Sequence, residues 1–580
     1  MSSDETSILI HGGVVVDGTG APSYPGDIRI REGLITEVGS RLSPEPREKL
    51  VDASGCYVTP GLIESHTHFD GTMWWQPDLD PLPGCGVTTV VMGNCGFALA
   101  PLHDDAAVRA EVVKIFSFFE DIPEQPFFEN LPWNWRTWSE YQASMESSVR
   151  VPANYGAFVG HIALRLAVMG MEAWERAATS AEITRIAALL DDALAAGALG
   201  LSTNLMDHNG EDKPVPSLKA DDAEFSALFE VLTHYPQATV QVVVDSLMRM
   251  TASVAVERLA SLTEGMPIRL QWAGVPTLQW QKDYGIQQPL ADLHARLVEQ
   301  GRDFWTGYAH VPITVTASFN QSLLFAQSNE YVWHEVVTAE DPESKLALLR
   351  DPDWRARARH SWDHESLETA FFRHPEPMLL DNSANGVGPE GISLGEYATQ
   401  LGLHASDALA EWVIANGVDS TVTMPPWPQD DDMVVQLTRD PFAVGNINDS
   451  GAHGQLFCGS GDNLMLYTYY VRDAGILSME EAVHSQTGKL ASHFGFTDRG
   501  ELKVGMRADL TVFRLDEIER RTKYKKYDVP DGRGGHTWRW TRDPAPVRLT
   551  LVNGEVTFEN GQPTGARPGQ MVRPENVLMD

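Results

Sequence analysis

The order of apolar and polar positions divides the chain into β-like ends and an alternating middle. Residues 8–16 are rich in β-branched side chains and broken by Gly12 and Gly13, as expected of a short strand. Residues 27–30 and 34–38 are two more strands, separated by the hairpin signal Glu32-Gly33. Residues 51–58 add a fourth before Pro60-Gly61. The far end repeats the pattern with a strand over 508–513 and a hairpin over 549–558 that turns at Asn553-Gly554. Between the ends, strand-like runs at 87–92, 155–159, 197–203, 238–244, 268–273 and 444–447 alternate with helical spacing. The clearest helix covers 181–196, with Ser180 placed to cap it. Repeated β–α units of this kind predict an α/β fold, a closed parallel barrel over 61–496. A small β-module is expected from the two ends, 1–60 and 497–580. Two stretches, near 110–150 and 333–377, do not fit a bare barrel and read as insertions. The first carries Trp133, Trp135 and Trp138, which suit either an apolar substrate portion or plain packing.

Composition narrows the partners. The chain has 580 residues and a net charge of −36, which argues against nucleic acid, since phosphate binding needs clustered Lys and Arg. Its one basic cluster, Arg520, Arg521, Lys523, Lys525 and Lys526, reads as a solvated loop. Nothing resembles a signal peptide, and no window reaches the roughly 18 apolar residues of a membrane span. Four cysteines make no disulfide framework, so a reducing cytoplasm is the expected compartment.

Chemistry concentrates in three places. Gly61-Leu62-Ile63-Glu64-Ser65-His66-Thr67-His68-Phe69-Asp70 puts two imidazoles two residues apart. On a strand end such residues share a face and can bind one divalent metal. Such a pair also arises by chance. What raises it here is its place after a Pro-Gly turn at the start of the β–α series, because barrel chemistry sits at the C-terminal ends of the strands. The next strand ends Gly93-Asn94-Cys95-Gly96, where a thiolate would be a soft zinc ligand and a thiol a small buried apolar group. Cys56, Cys85 and Cys458 lack this context and read as structural. The late strand leads to Asp449, able to bind metal and take a proton from water or merely to cap a turn. His453 follows four residues on.

Together these sites resemble the amidohydrolase superfamily, and within it the N-acyl-D-amino-acid deacylase (D-aminoacylase) branch, over nearly the whole chain. The matching segments include the HxHxD run, Gly93-Asn94-Cys95-Gly96, Val159-Gly160-His161 with Leu164-Arg165, Gly505 to Leu510, and Val552-Asn553-Gly554. The resemblance implies a distorted (β/α)8 barrel beside a small β-sandwich. It also implies hydrolysis of the amide of an N-acyl amino acid or related small molecule by a zinc-activated water. By motif, zinc would be held by His66, His68, Cys95 and Asp449, with Asp449 as the acid/base. One ion is expected and a second is left open.

The chain departs from that pattern. Each of two later strands should bring a histidine, yet they read Val240-Gln241-Val242-Val243-Val244-Asp245 and Arg269-Leu270-Gln271-Trp272-Ala273. No lysine closes the fourth strand as a bridge between two metals. His208 and Asp245 are candidate substitute ligands, His161 and His453 candidate supporting groups, and Arg249 a candidate for a substrate carboxylate. Cleavage of a cyclic amide or a ketone-like carbon–carbon bond, and a metal-poor barrel acting as a binding partner, remain rival readings. A homo-oligomer is expected from the resemblance.

Overall fold

The computed structural model describes residues 7–209, 211, 213–246, 250–320, 332–364, 376–531 and 534–575. The N-terminal strands are β1 (Ile8–Val15), β2 (Tyr24–Arg31), β3 (Leu34–Gly39), β4 (Lys49–Asp52) and β5 (Tyr57–Pro60). The single strand expected over 51–58 is two strands. The chain turns between them, where Gly55 takes a φ of 73° and Cys56 N–H donates to Ala53 O. β1 then forks, pairing β4 along its start and β5 along its end.

The middle builds the ring that carries the site. β6 (Leu62–Glu64), β7 (Val87–Met92) and β8 (Asn154–Ala157) form one parallel sheet. β9 (Val159–Gly160), β10 (Gly200–Leu205), β11 (Thr239–Val244), β12 (Arg269–Ala273) and β13 (Phe304–Gly307) belong to a second. β8 and β9 are separated only by Phe158, whose N–H donates to Met92 O at 3.0 Å. β7 is buried along its whole length, its two threonines included, as expected of a parallel strand covered on both faces. The helix Ser180–Ala196 is capped by Thr179, not Ser180. Thr179 and Glu182 exchange side-chain-to-backbone hydrogen bonds in a capping box, which Ser180 is one residue too late to form.

After β13 the chain leaves the ring. β14 (Thr316–Ser318), β15 (Leu379–Asn382) and β16 (Thr421–Thr423) make an antiparallel sheet in the order β14-β16-β15. With helices that include Pro352–His364 and Ala405–Asn416 it encloses its own core around Trp333, Trp354, Trp362 and Trp412. This unit reaches beyond the polar stretch 333–377 on both sides. β17 (Ala443–Val444) then returns to β13. Ser65 N–H donates to Asn446 O at 3.3 Å, and Thr67 bridges Ser450 in parallel. The two sheets thereby close on each other in a TIM-barrel-like α/β fold. Ile63, Val91, Phe158, Leu199, Trp305 and Val444 from around the ring join Leu490, Phe494 and Phe496 in one buried cluster.

The last strands are β18 (Leu510–Phe513), β19 (Lys523–Pro530), β20 (His536–Arg542), β21 (Leu549–Val552), β22 (Glu555–Glu559) and β23 (Gln562–Pro563). β18 pairs β5, so both termini share one nine-stranded sheet. The basic cluster is not a solvated loop. Lys523, Lys525 and Lys526 lie in β19, which pairs with β20. The Lys523 and Lys525 ammonium groups sit 4.3 Å from the Trp540 ring and 4.2 Å from the Trp538 ring. Lys526 pairs with Asp80 at 2.8 Å and Arg520 with Asp462 at 2.5 Å. Indole faces and carboxylates thus hold these cations to the protein. No described helix is long and apolar enough to cross a membrane.

One buried ion pair anchors the terminal sheet. Arg29 Nε donates to Glu48 Oε1 at 2.8 Å, and the side chains are 4% and 0% exposed. Burial opposes the charge of Glu48, but hydrogen bonds from Arg29 and Ser7 overcome it and hold the carboxyl down to about 2. A carboxyl lowered on folding contributes stability above its ordinary range near 4.5, and that contribution is lost as pH falls toward 2. Arg29→Met strands the buried carboxylate and should cost about 3–5 kcal/mol at pH 7. The loss should shrink as the pH is lowered through that window. Thermal melts of both proteins at several pH values check this, and a loss independent of pH would contradict it.

Candidate metal centre

The backbone from Ser65 to His68 is gripped from both sides. Thr67 N–H donates to Val91 O at 2.9 Å and His68 N–H to Ser450 O at 3.0 Å. Thr67 Oγ1 also donates to Val91 O at 2.8 Å. With the intervening threonine turned to β7, the flanking imidazoles share the other side, their centroids 5.4 Å apart. His66 and His68 are 6% and 1% exposed.

The turn Gly93-Asn94-Cys95-Gly96 is pinned at each residue. A Cβ at Gly93, where φ is 72°, would lie 2.5 Å from Phe158 O. Asn94 Nδ2 donates to Val91 O at 3.0 Å. Cys95 N–H donates to the Gln241 side-chain oxygen at 3.0 Å, and Gly96 N–H to Ser202 Oγ at 3.1 Å. Asp70 Oδ2 accepts from Gly93 N–H at 3.3 Å. The Cys95 thiol comes to 3.1 Å from His66 Nε2 and 3.7 Å from His68 Nε2.

Asp449 arrives from the loop after β17. Its Oδ1 lies 3.2 Å from His68 Nε2 and 3.6 Å from His66 Nε2. Its Oδ2 lies 3.5 Å from His453 Nε2. Cys95, Asn446, Asp449 and His453 all take left-handed φ values between 47° and 60°. Such backbone costs about 1–3 kcal/mol per residue and gathers at functional sites.

Electrostatics bind the cluster together. Burial opposes the charge of Asp449, yet the neighbouring imidazoles of His453, His68 and His66 hold its carboxyl well below the usual range. Burial lowers His66 to about 4. For His68 burial also works against charge, but Glu120 and Asp449 outweigh it and raise the imidazole to about 9. The same two carboxylates raise His453 to about 10. Burial, reinforced by Asp449 and Glu120, pushes the Cys95 thiol well up. A divalent cation would reverse this balance by favouring thiolate and neutral imidazole.

The donors fit such an ion. A tetrahedral zinc with ligands at about 2.0–2.3 Å has ligand–ligand edges of about 3.3–3.8 Å. Cys95 Sγ lies 3.1 and 3.7 Å from the two imidazoles and Asp449 Oδ1 3.2 and 3.6 Å from them, close to that range, while Asp449 stands outside the compact group of three donors. Asp449 Oδ1 is buried without a hydrogen-bond partner, as expected of an oxygen aimed at a cation. Among the described residues, His66, His68 and Cys95 are the one group with three potential donor atoms all within 4.8 Å of one another.

The other sequence candidates lie elsewhere. His161 is fully buried, with Nδ1 on Thr203 Oγ1 at 2.9 Å and Nε2 on Glu224 Oε1 at 2.8 Å, and Arg165 closes the same network. Both of its ring nitrogens are therefore engaged away from Cys95 and Asp449. His208 Nδ1 sits 3.1 Å from Met206 O, and Asp245 is buried just after β11. Neither joins the three-donor group. Arg249 lies outside the described residues. Trp135 and Trp138 are buried packing residues; Trp135 Nε1 donates to Leu99 O at 2.7 Å.

Sequence reasoning missed two contacts. Gln241 holds the Cys95 amide, and its signal was a lone amide inside an apolar strand. Glu120, the last residue of the helix Ala106–Glu120, has Oε1 3.3 Å from His68 Nδ1 and Oε2 3.8 Å from His453 Nε2. No motif marks it.

Imidazole, thiol and carboxylate groups thus converge beyond the C-terminal ends of β6, β7 and β17 in a TIM-barrel-like α/β fold, the end at which such folds carry their chemistry. The chain belongs to the amidohydrolase family, whose sequence model matches residues 49–558. It is 26% identical over 582 residues to an N-acyl-D-aspartate deacylase of Alcaligenes xylosoxydans xylosoxydans, covering 99% of this chain and 96% of that protein. Two solved structures share the fold. One is the N-acyl-D-glutamate deacylase of Bordetella bronchiseptica with zinc and a phosphonate mimic of the tetrahedral intermediate. It has a TM-score of 0.63 and 24% identity over 98% of this chain and 100% of that one. The other is a D-aminoacylase with a binuclear metal centre, activated by one metal and attenuated by the second. It has a TM-score of 0.63 and 22% identity over 98% and 99%.

Gln241→Leu should leave the buried Cys95 amide without an acceptor, at a cost of about 1–3 kcal/mol, and weaken zinc binding measured by chelator competition. Unchanged zinc affinity would mean that the Cys95 turn is held by its other bonds alone.

Proposed function

We propose that this protein is a hydrolase of carbon–nitrogen bonds other than peptide bonds, a one-zinc deacylase acting on an N-acyl amino acid. The observation that carries the reading is the compact group of His66, His68 and Cys95, whose donor atoms all lie within 4.8 Å of one another, with Asp449 Oδ1 3.2 and 3.6 Å from the two imidazoles. Two features support a single ion. No histidine stands on β11 or β12, and all the converging donors come from the ends of β6, β7 and β17. Similarity to a deacylase of N-acyl-D-aspartate supports an acyl amino acid as the substrate class.

His66, His68, Cys95 and Asp449 would hold the metal. A zinc ion there supplies Lewis acidity toward an amide carbonyl and toward water. Asp449 is suited to the proton work. Its carboxylate stays ionised, so it can take the proton of an attacking water, and the same oxygen can return that proton to the leaving amine nitrogen. His453, facing the other carboxylate oxygen at 3.5 Å, fixes its orientation. Burial of both histidines and the aromatic side chains around them excludes bulk water and strengthens each of these interactions.

Asp449→Asn should lower kcat at least about 100-fold with the fold intact. His66→Ala should abolish both zinc retention and turnover. Release of free amino acid from N-acyl-D- and N-acyl-L-substrates, with acidic and apolar side chains compared, reads the activity. Wild-type zinc protein that releases no amine from any of them would remove this reading. Turnover retained by either variant would remove the assigned site.

A further inference from the structure

The helix Ala106–Glu120 belongs to the aromatic insertion rather than to the ring, yet its last side chain enters the metal cluster. The Glu120 carboxyl is 1% exposed. Among the described residues its only ion-pair partners are two imidazoles, His68 Nδ1 at 3.3 Å and His453 Nε2 at 3.8 Å. No described lysine or arginine pairs with it, and both Glu120 Oε2 and His68 Nδ1 are buried without a hydrogen bond in this structure. A carboxylate so placed destabilises the fold unless it does something else.

Its surroundings fix where it sits. The helix stops at Glu120 because Asp121 turns left-handed, with a φ of 53°. The Glu120 carbonyl accepts from Gly454 N–H at 3.2 Å, one residue beyond His453. One position earlier, Phe119 stacks on Phe97 at 4.9 Å, and Phe97 lies 6.3 Å from the His68 ring. Main chain and neighbours thus lock the carboxyl between the HxH segment and the Asp449–His453 loop.

An imidazole ligates through an unprotonated nitrogen, so its second nitrogen must carry the proton and needs an acceptor. For His68 the nitrogen facing Cys95 and Asp449 is Nε2, at 3.7 and 3.2 Å. Nδ1 faces Glu120. We infer that Glu120 is a positioning residue that holds the Nδ1–H tautomer of His68, leaving Nε2 free for the metal, and that steers His453 onto Asp449. The inference rests on the metal-site reading above. It makes the aromatic insertion part of the metal centre, since the insertion supplies the carboxylate that orients a ligand. Such carboxylate–histidine–metal chains raise ligand basicity as well as fixing the ring.

The test uses the full chain and the variant Glu120→Gln. Zinc affinity is measured by chelator competition, visible absorption on the cobalt-substituted protein, and thermal unfolding on metal-free protein. Zinc should bind about 10–100-fold more weakly, and the cobalt bands should shift. The metal-free variant should still melt cooperatively, so that the weaker zinc binding is not a loss of fold. Zinc affinity equal to wild type with an unchanged cobalt spectrum overturns the inference. So does a lower metal-free melting point with unchanged affinity, which would make Glu120 a structural tie only. Should the variant fail to fold, a zinc-loaded structure of wild type decides the matter. Zinc on Nε2 with Glu120 on Nδ1 supports the inference, and zinc on Nδ1 or a carboxyl turned away from the ring overturns it. Wild-type protein that takes up no zinc sinks the metal-site reading itself, and that is seen before any variant is made.

Discussion

The main chain of Ser65 to His68 is shared between the two ends of the ring. One side bonds to Val91 in β7, the other to Asn446 and Ser450 beyond β17. About 380 residues separate the two sides of that seam in sequence. Every later feature of the site depends on it. Without the bonds to Val91, His66 and His68 lose their common face. Without those to Asn446 and Ser450, Asp449 has no reason to lie beside them. Ser65 Oγ reinforces the seam by donating to Gly445 O at 2.7 Å, and Asn446 Nδ2 donates to Ile63 O at 2.6 Å. Side chains that would be free to do chemistry are spent here on closing the ring.

The seam also collects charge. Burial raises Glu64 to about 8, Asp70 to about 6 and Asp121 to about 7, and it raises Glu120 as well. These carboxyls surround two imidazoles and a thiol within a few residues of each other in space. His66, His68, Glu64, Asp70 and Glu120 are all buried, so each charge is felt strongly by the rest. Protonated His68 and His453 offset part of this negative potential. A divalent cation offsets more of it while releasing the histidine and thiol protons. The acid-rich rim and the metal donors are therefore one electrostatic unit, and the strained backbone at Cys95, Asp449 and His453 is what that unit holds in place.

Much of this was legible in the residues. The HxH spacing, the glycines around Cys95 and the β–α alternation each follow from local geometry, and the structure brings His66, His68, Cys95 and Asp449 together. The parts that were not legible share a cause. Glu120 lies at the end of a helix in an insertion, and only tertiary packing turns it toward His68. Gln241 is a common residue whose partner, the Cys95 amide, lies 146 positions away. The basic run at 520–526 looked solvated because its indole and carboxylate partners, Trp538, Trp540, Asp80 and Asp462, are distant in sequence. The capping error at Ser180 is of another kind. Two adjacent cap-forming residues were present, and only the reciprocal bond with Glu182 selects Thr179.

The walls above the ring suggest how one barrel can be given a distinct substrate. The hairpin β19–β20 comes from the C-terminal segment and forms a sheet of its own, and Trp540 N–H donates to Gly454 O at 2.8 Å and its indole to Gln455 O at 3.1 Å. Those residues follow His453 directly. On the other side, Thr316 N–H of β14 donates to Leu456 O at 2.7 Å, and Phe457 packs on the tryptophan-lined core of the helical unit. The loop that presents Asp449 and His453 is thus clamped between two additions to the ring, while the aromatic insertion contributes Glu120 from a third direction. Changes in any of these additions would move the walls of the site before they moved the donors, because the donors are fixed by the seam and the walls are not. Changes in those outer elements can then reshape the walls while the arrangement of His66, His68 and Cys95 stays intact.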